Sequence, residues 1–201
     1  MKSLHRDNNS PLNTDQGNYH REALQQLKQT GWDSQGLLRI KVTSNSMAPL
    51  LRPGDYVLVT PLQPDDLARG DLVVAQCGGE LVTHRLVGMG MGEWLTKGDR
   101  LYAFDPPLQK EAILGSVTDV IHEGLMINLQ TRQWRSINRS LGWLGWWEGC
   151  IYHDCAAFYH RVVYRGDNPP ARLQPLASAL AGLVTLPFRS LSRILLRAVG
   201  H

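Results

Sequence analysis

Four side chains in this sequence, Ser46, His84, Asp99 and Asp105, combine a type that hydrolytic chemistry uses with a local setting that could present it. Ser46 lies in Ser44-Asn-Ser-Met-Ala-Pro-Leu-Leu-Arg-Pro-Gly-Asp55, where a strand end meets a proline-fixed turn. Such a turn can hold a hydroxyl rigidly on a ledge, and a nucleophilic serine needs that presentation together with a base in hydrogen-bond reach. His84 is centred in the alternating run Val82-Thr-His-Arg-Leu-Val87, and imidazole is the side chain best matched to proton transfer near neutral pH. Asp99 and Asp105 belong to Leu95-Thr-Lys-Gly-Asp-Arg-Leu-Tyr-Ala-Phe-Asp-Pro-Pro107. Either carboxylate could accept a hydrogen bond from the imidazole and fix its tautomer. Taken singly, each feature has a plainer reading: the Ser-x-Ser-Met-x-Pro string as a loop, the strand histidine as a structural side chain, Gly-Asp as a turn pair.

The elements that must position these residues are short strands. Leu37–Thr43, Tyr56–Thr60, Asp71–Ala75, Leu81–Val87, Glu93–Thr96, Ile113–Val120 and Leu125–Leu129 are β-rich runs separated by Gly, Pro and Asp. Strands at this spacing predict an all-β sandwich or distorted barrel. Beyond about residue 135 the pattern changes. Leu144, Trp147, Ile151, Cys155, Phe158 and Val162 recur at steps of three and four, one stripe of an amphipathic helix. Ahead of the strands, residues 1–18 read as a polar lead, followed by a short helix over His20–Thr30. The expected organisation is a lead with a short helix over 1–36, a β domain over 37–130 and a helical extension over 135–201.

A length of 201 residues suffices for one ordinary domain with appendages, and 43% hydrophobic against 19% charged residues excludes a disordered chain. A formal charge of +3 argues neither for nor against an anionic partner. Three cysteines are too few for a disulfide framework, and the odd count fits a reducing compartment. The opening residues hold no apolar run, so no signal peptide is expected, and no apolar stretch reaches the length of a membrane span. The nearest, Leu176–Phe188, is short, contains Pro187 and is followed by Arg189, Arg193 and Arg197. A cytoplasmic or peripherally membrane-associated protein is expected, with no nucleic-acid partner.

Together, and in this order, the three segments resemble the signal-peptidase/LexA superfamily of serine peptidases over roughly residues 37–127. Ser46 falls on that family's nucleophile in the Ser-x-Ser-Met-x-Pro box, and Gly70-Asp-Leu-Val-Val74 is similar to its Gly-Asp-hydrophobic strand. Thr83-His-Arg-Leu-Val87 matches the position where bacterial signal peptidases and LexA-type repressors carry a lysine base. Archaeal and endoplasmic-reticulum signal peptidases carry His-Arg-hydrophobic there, as here. The resemblance implies a mainly β fold, a signal-peptidase/LexA-like β-ribbon catalytic domain with a helical C-terminal extension, acting on a peptide or protein substrate without a cofactor. It implies a Ser46–His84–Asp105 triad with Asp99 as a nearby structural or assisting carboxylate, although the residues alone do not separate the two. It also implies an oxyanion hole formed by the Ser44 hydroxyl and the Ser46 backbone N–H. A lysine base must be pushed down several pKa units before it acts, whereas a histidine, ordinarily near 6.5, places the proton transfer close to neutrality. The sequence departs from the pattern at Asn45, Ala48, Leu50 and Arg100, and at the missing N-terminal anchor, which puts a housekeeping signal-peptidase role in question.

Two other functions compete. A LexA-like self-cleaving regulator would need a DNA-binding domain and an Ala-Gly or Cys-Gly bond before the nucleophile, and residues 1–36 contain no such bond. A non-catalytic peptide-binding module could retain the same fold. Cys150, His153, Cys155 and His160 are zinc-ligand types, but their spacing is not that of a structural zinc site and the plainer reading is burial on a helix. Trp143, Trp146 and Trp147 are expected to pack against the β core, with peripheral membrane contact through the C-terminal region as the alternative. The Arg- and Leu-rich segment Phe188–Val199 fits either a surface helix or a membrane-surface helix.

Overall fold

The computed structural model describes residues 32–61, 67–77, 80–90 and 92–163, together with Ser190. The expected helix over 20–30 and the tail helix beyond 175 lie outside the described residues. Eight strands follow one another along the chain: β1 (Leu38–Lys41), β2 (Tyr56–Pro61), β3 (Leu72–Cys77), β4 (Glu80–Gly90), β5 (Glu93–Lys97), β6 (Leu108–Gln109), β7 (Ile113–His122) and β8 (Leu125–Asn128). Among the described residues one α-helix, α1 (Arg132–Val163), follows them. The protein is thus mainly antiparallel β with a C-terminal helix.

Rather than a sandwich of two sheets, the strands form one sheet in the order β1-β2-β7-β3-β4-β5-β6. β7 organises it. One edge of β7 pairs with β2, while the other gives its first half to β3 and its second half to β8. The turn into β8 is Glu123-Gly124, both at positive φ (48° and 86°), the conformation that two-residue hairpins favour because it matches strand twist. Leu72, Val74, Leu114, Val117 and Val120 from the sheet join Met47 and Leu51 of the Ser46 turn and Trp134 and Leu141 of α1 in the main core. Val73, Ala75, Leu108 and Ile113 form a second, smaller cluster. Alternate residues of β3 thus serve opposite faces, as a fully covered strand requires.

The helix has the anticipated 3.6-residue period but buries a different face. Its buried positions are Trp134, Asn138, Leu141, Gly142, Glu148 and Gly149, whereas Trp143 and Trp147 are 49% and 55% exposed. The reason is close approach. A Cβ on Gly142 would lie 2.6 Å from the backbone N of Gly70, and Gly70 in turn, at φ +104°, has no room for a Cβ against the Asn138 backbone. Gly145 rests on Val87 and Lys97, and Gly149 on the Phe104 ring. Glycines bring this part of the helix backbone onto the sheet, and Trp143 and Trp147 are turned away while Trp134 and Leu141 reach the core. Only Trp146 meets the expectation of packing inward, lying over Gly88 and beside Phe104. Gly142→Ala is therefore expected to destabilise by about 1–3 kcal/mol through overpacking against an immovable backbone. A chemical-denaturation midpoint unchanged from wild type would count against that contact.

No helix among the described residues is long and apolar enough to cross a membrane.

Candidate active site

The Ser46 turn is held from below. Met47 and Leu51, flanking it on the core side, are fully buried, while Ser46 itself is partly exposed. Within the turn Ala48 N donates to Asn45 O at 3.1 Å and Leu51 N to Met47 O at 3.1 Å. Across the site, the Arg100 N–H donates to the Ser46 carbonyl at 2.8 Å, tying the turn to the loop after β5. At the far end of the segment Asp55 accepts from Arg52 N at 2.8 Å and meets His122 Nδ1 at 2.6 Å. The backbone that presents the Ser46 hydroxyl is thereby fixed on both sides.

His84 is on β4, almost completely buried, in register with Val73 of β3. Its Nε2 lies 3.0 Å from Ser46 Oγ, and its Nδ1 lies 2.7 Å from Asp105 Oδ2. The same Asp105 oxygen accepts the Thr96 hydroxyl at 2.7 Å, and Asp105 N donates to Thr96 O at 2.9 Å. These contacts define a consistent proton arrangement. An ionised Asp105 accepts Nδ1–H, leaving Nε2 unprotonated to accept the Ser46 O–H. Ser44 Oγ lies 3.1 Å from Ser46 Oγ and is exposed beside it. Thr96 belongs to the same Leu95–Pro107 segment as the two aspartates, but its contact with Asp105 depends on the register of β5 against β4.

Asp99 is placed differently from Asp105. Its two carboxylate oxygens receive Arg85 Nε and Nη2, both at 2.7 Å, in a bidentate fork. Arg85 Nη1 donates to Gly70 O and to Asn138 Oδ1, both at 2.8 Å. Asp99 N also points at Met47 Sδ, 3.4 Å away. Thus Asp105 sits on the imidazole and Asp99 on the neighbouring guanidinium. Successive residues of a strand face opposite ways, so His84 looks toward Ser46 while Arg85 looks toward α1.

Lys97 pairs in register with Arg85 across β4 and β5 and faces the same way. Its Nζ donates to Glu148 Oε2 and Leu101 O, both at 2.7 Å, and to Gly98 O at 3.3 Å. Both cations are fully buried, and α1 supplies a polar side chain to each: Asn138 to Arg85 and Glu148 to Lys97. Sequence reasoning missed this layer. Buried charges within apolar runs were the available signal, since such groups require partners.

Burial pushes the Cys77 and Cys150 thiols above their ordinary range, which disfavours the thiolate that cysteine nucleophiles need. Cys150, His153 and Cys155 lie along α1, with His153 stacked on Phe104. Among the described residues no group of three or more His, Cys, Asp or Glu side chains could hold a metal ion.

A family model described as Peptidase S24-like matches residues 12–103. The matched stretch contains Ser44, Ser46, His84 and Asp99 and ends just before Asp105. The match covers a little under half of the chain and marks a similarity to that family of peptidases over those residues; a mainly antiparallel β domain followed by a helix is consistent with it. No curated protein matches the chain.

Proposed function

We propose that the chain is a serine endopeptidase of the histidine-base, signal-peptidase-like type, with Ser46 as nucleophile, His84 as general base and Asp105 as the group that orients it. The observation that carries this reading is the continuous hydrogen-bonded line from Ser46 Oγ through the imidazole to Asp105, at 3.0 and 2.7 Å. Ser46 Oγ attacks a peptide carbonyl carbon as its proton passes to His84 Nε2, and the imidazolium is held against Asp105. Collapse of the tetrahedral intermediate expels the amine, which takes the proton from Nε2 and leaves an ester on Ser46. Water then attacks that ester, giving its proton to Nε2; the acyl–Oγ bond breaks as Ser46 Oγ takes that proton from Nε2, and the carboxylic acid product leaves. The Ser44 hydroxyl and Ser46 N–H are assigned to the developing oxyanion.

The test is incubation of the full chain, Ser46→Ala and His84→Ala with a peptide library read by mass spectrometry. Cleavage by wild type alone is expected. Equal cleavage by all three would remove the peptidase reading, and no cleavage by any would favour a peptide-binding module of the same fold. Intact mass of the protein in the same samples reports self-cleavage.

Asp105→Asn and Asp99→Asn separate the two carboxylates. Asparagine at 105 can donate to Nδ1 and hold the wrong tautomer, so kcat is expected to fall by about 10⁴-fold with little loss of fold. Asp99→Asn leaves the imidazole line intact and instead weakens the fork on buried Arg85, so its main effect is expected on unfolding stability. Equal kcat losses in the two variants would contradict the assignment.

A further inference from the structure

The sheet-facing side of α1 carries Trp134 and Leu141 beside Asn138, Glu148 and three glycines. The opposite side is not wholly polar: Trp143 and Trp147, half exposed, point outward on adjacent turns. Exposed apolar surface of this kind marks a contact site more often than a free face. The two turns before it present Arg132, Arg135 and Arg139, all exposed. At 3.6 residues per turn, Arg132, Arg139, Trp143 and Trp147 share a sector of about 80°. Arg135 flanks that sector, its guanidinium resting on the exposed Gln130 amide oxygen at 2.9 Å. Arg69 adds a fourth guanidinium, 3.9 Å above the Trp143 ring and 5.0 Å above that of Trp146. Two carboxylates adjoin the face. Asp71 is partly buried, with burial pushing its carboxyl above the ordinary range, and Asp154 lies beyond the tryptophans.

We propose that the outer face of α1, from Arg132 to Trp147, seats the protein on an anionic lipid surface. Guanidinium groups complement headgroup phosphates, and indoles favour the boundary between headgroups and acyl chains, where one edge is wet and the body is apolar. Rows of arginine and tryptophan along one sector place both groups at the same depth when the helix lies in the membrane plane. A basic stripe alone would suit nucleic acid equally well. The paired half-exposed indoles on the following turns favour lipid.

The full chain should co-sediment with vesicles of phosphatidylcholine plus phosphatidylglycerol and not with phosphatidylcholine alone, more weakly as salt rises. Replacing Arg132, Arg135 and Arg139 together by glutamine is expected to weaken binding by about a hundredfold, roughly fivefold per arginine. Trp143→Ser with Trp147→Ser should abolish the blue shift of tryptophan emission on vesicle addition. Thermal unfolding of both variants checks that the exposed substitutions leave the fold intact. Absence of vesicle binding by wild type overturns the proposal. So does binding that survives either set of substitutions, or a face that instead binds duplex DNA or a second copy of the chain. Vesicle binding needs no proteolysis, so this outcome is separate from the outcome for the peptidase.

Discussion

Ser46→Ala is expected to lower turnover by about a millionfold, and His84→Ala by a similar factor, while the double variant loses scarcely more than either alone. The non-additivity follows from the geometry. With the Ser46 hydroxyl 3.0 Å from Nε2, the oxygen is activated only while that nitrogen can take its proton. Removing the imidazole leaves an ordinary alcohol, and removing the hydroxyl leaves a base with nothing to activate. The residual rate would come from the groups around the oxyanion and from substrate binding. Single-turnover kinetics on the substrate found in the library would check this. Multiplying losses in the double variant would show that the two side chains act independently and that the line from Ser46 to Asp105 is not one catalytic unit.

Glu148→Leu is expected to be among the most destabilising single changes in the helix, by about 3–5 kcal/mol in chemical denaturation. Lys97 Nζ would keep its two carbonyl acceptors but lose its ion-pair partner, leaving a buried ammonium uncompensated. The partner change Lys97→Met in the same protein removes that charge, so the double variant should recover most of the loss and could exceed wild type in stability. Such a recovery would show that the cost lies in the orphaned charge rather than in the packing of α1. A single-variant loss below about 1 kcal/mol would mean that water reaches Lys97 and that the pair behaves as a surface one. The same variants bear on the site indirectly, because Lys97 lies in register with Arg85, the residue after His84.

Much of the site was legible because its members fall in short local patterns. The proline-fixed turn around Ser46, the alternating strand around His84 and the Gly-Asp turns are local signals, and strands β1 to β5, β7 and β8 lie close to the runs that predicted them, whereas the two-residue β6 had no such run. The helix period was legible too, yet the buried face was not. A hydrophobic stripe marks burial only where bulky side chains form the interface, and here Gly142, Gly145 and Gly149 form much of it beside Trp134 and Leu141. Hydrophobicity therefore pointed to Trp147, which the structure exposes.

By itself the sequence determined which residue types were available, Ser46, His84 and two candidate aspartates, and which of them sat on strands or in turns. Choosing between the aspartates required the tertiary structure. Asp99 and Asp105 are six positions apart in one loop, and nothing local distinguishes two carboxylates that near neighbours could serve equally. The register of β5 on β4 sets Thr96 under Asp105 and directs it to the imidazole, whereas the turn at Gly98 delivers Asp99 to Arg85. The polar groups of α1 that complete the second network lie 53 and 51 residues from the cations they meet. A pairing at that separation has no local signature, because it exists only once the helix has packed on the sheet.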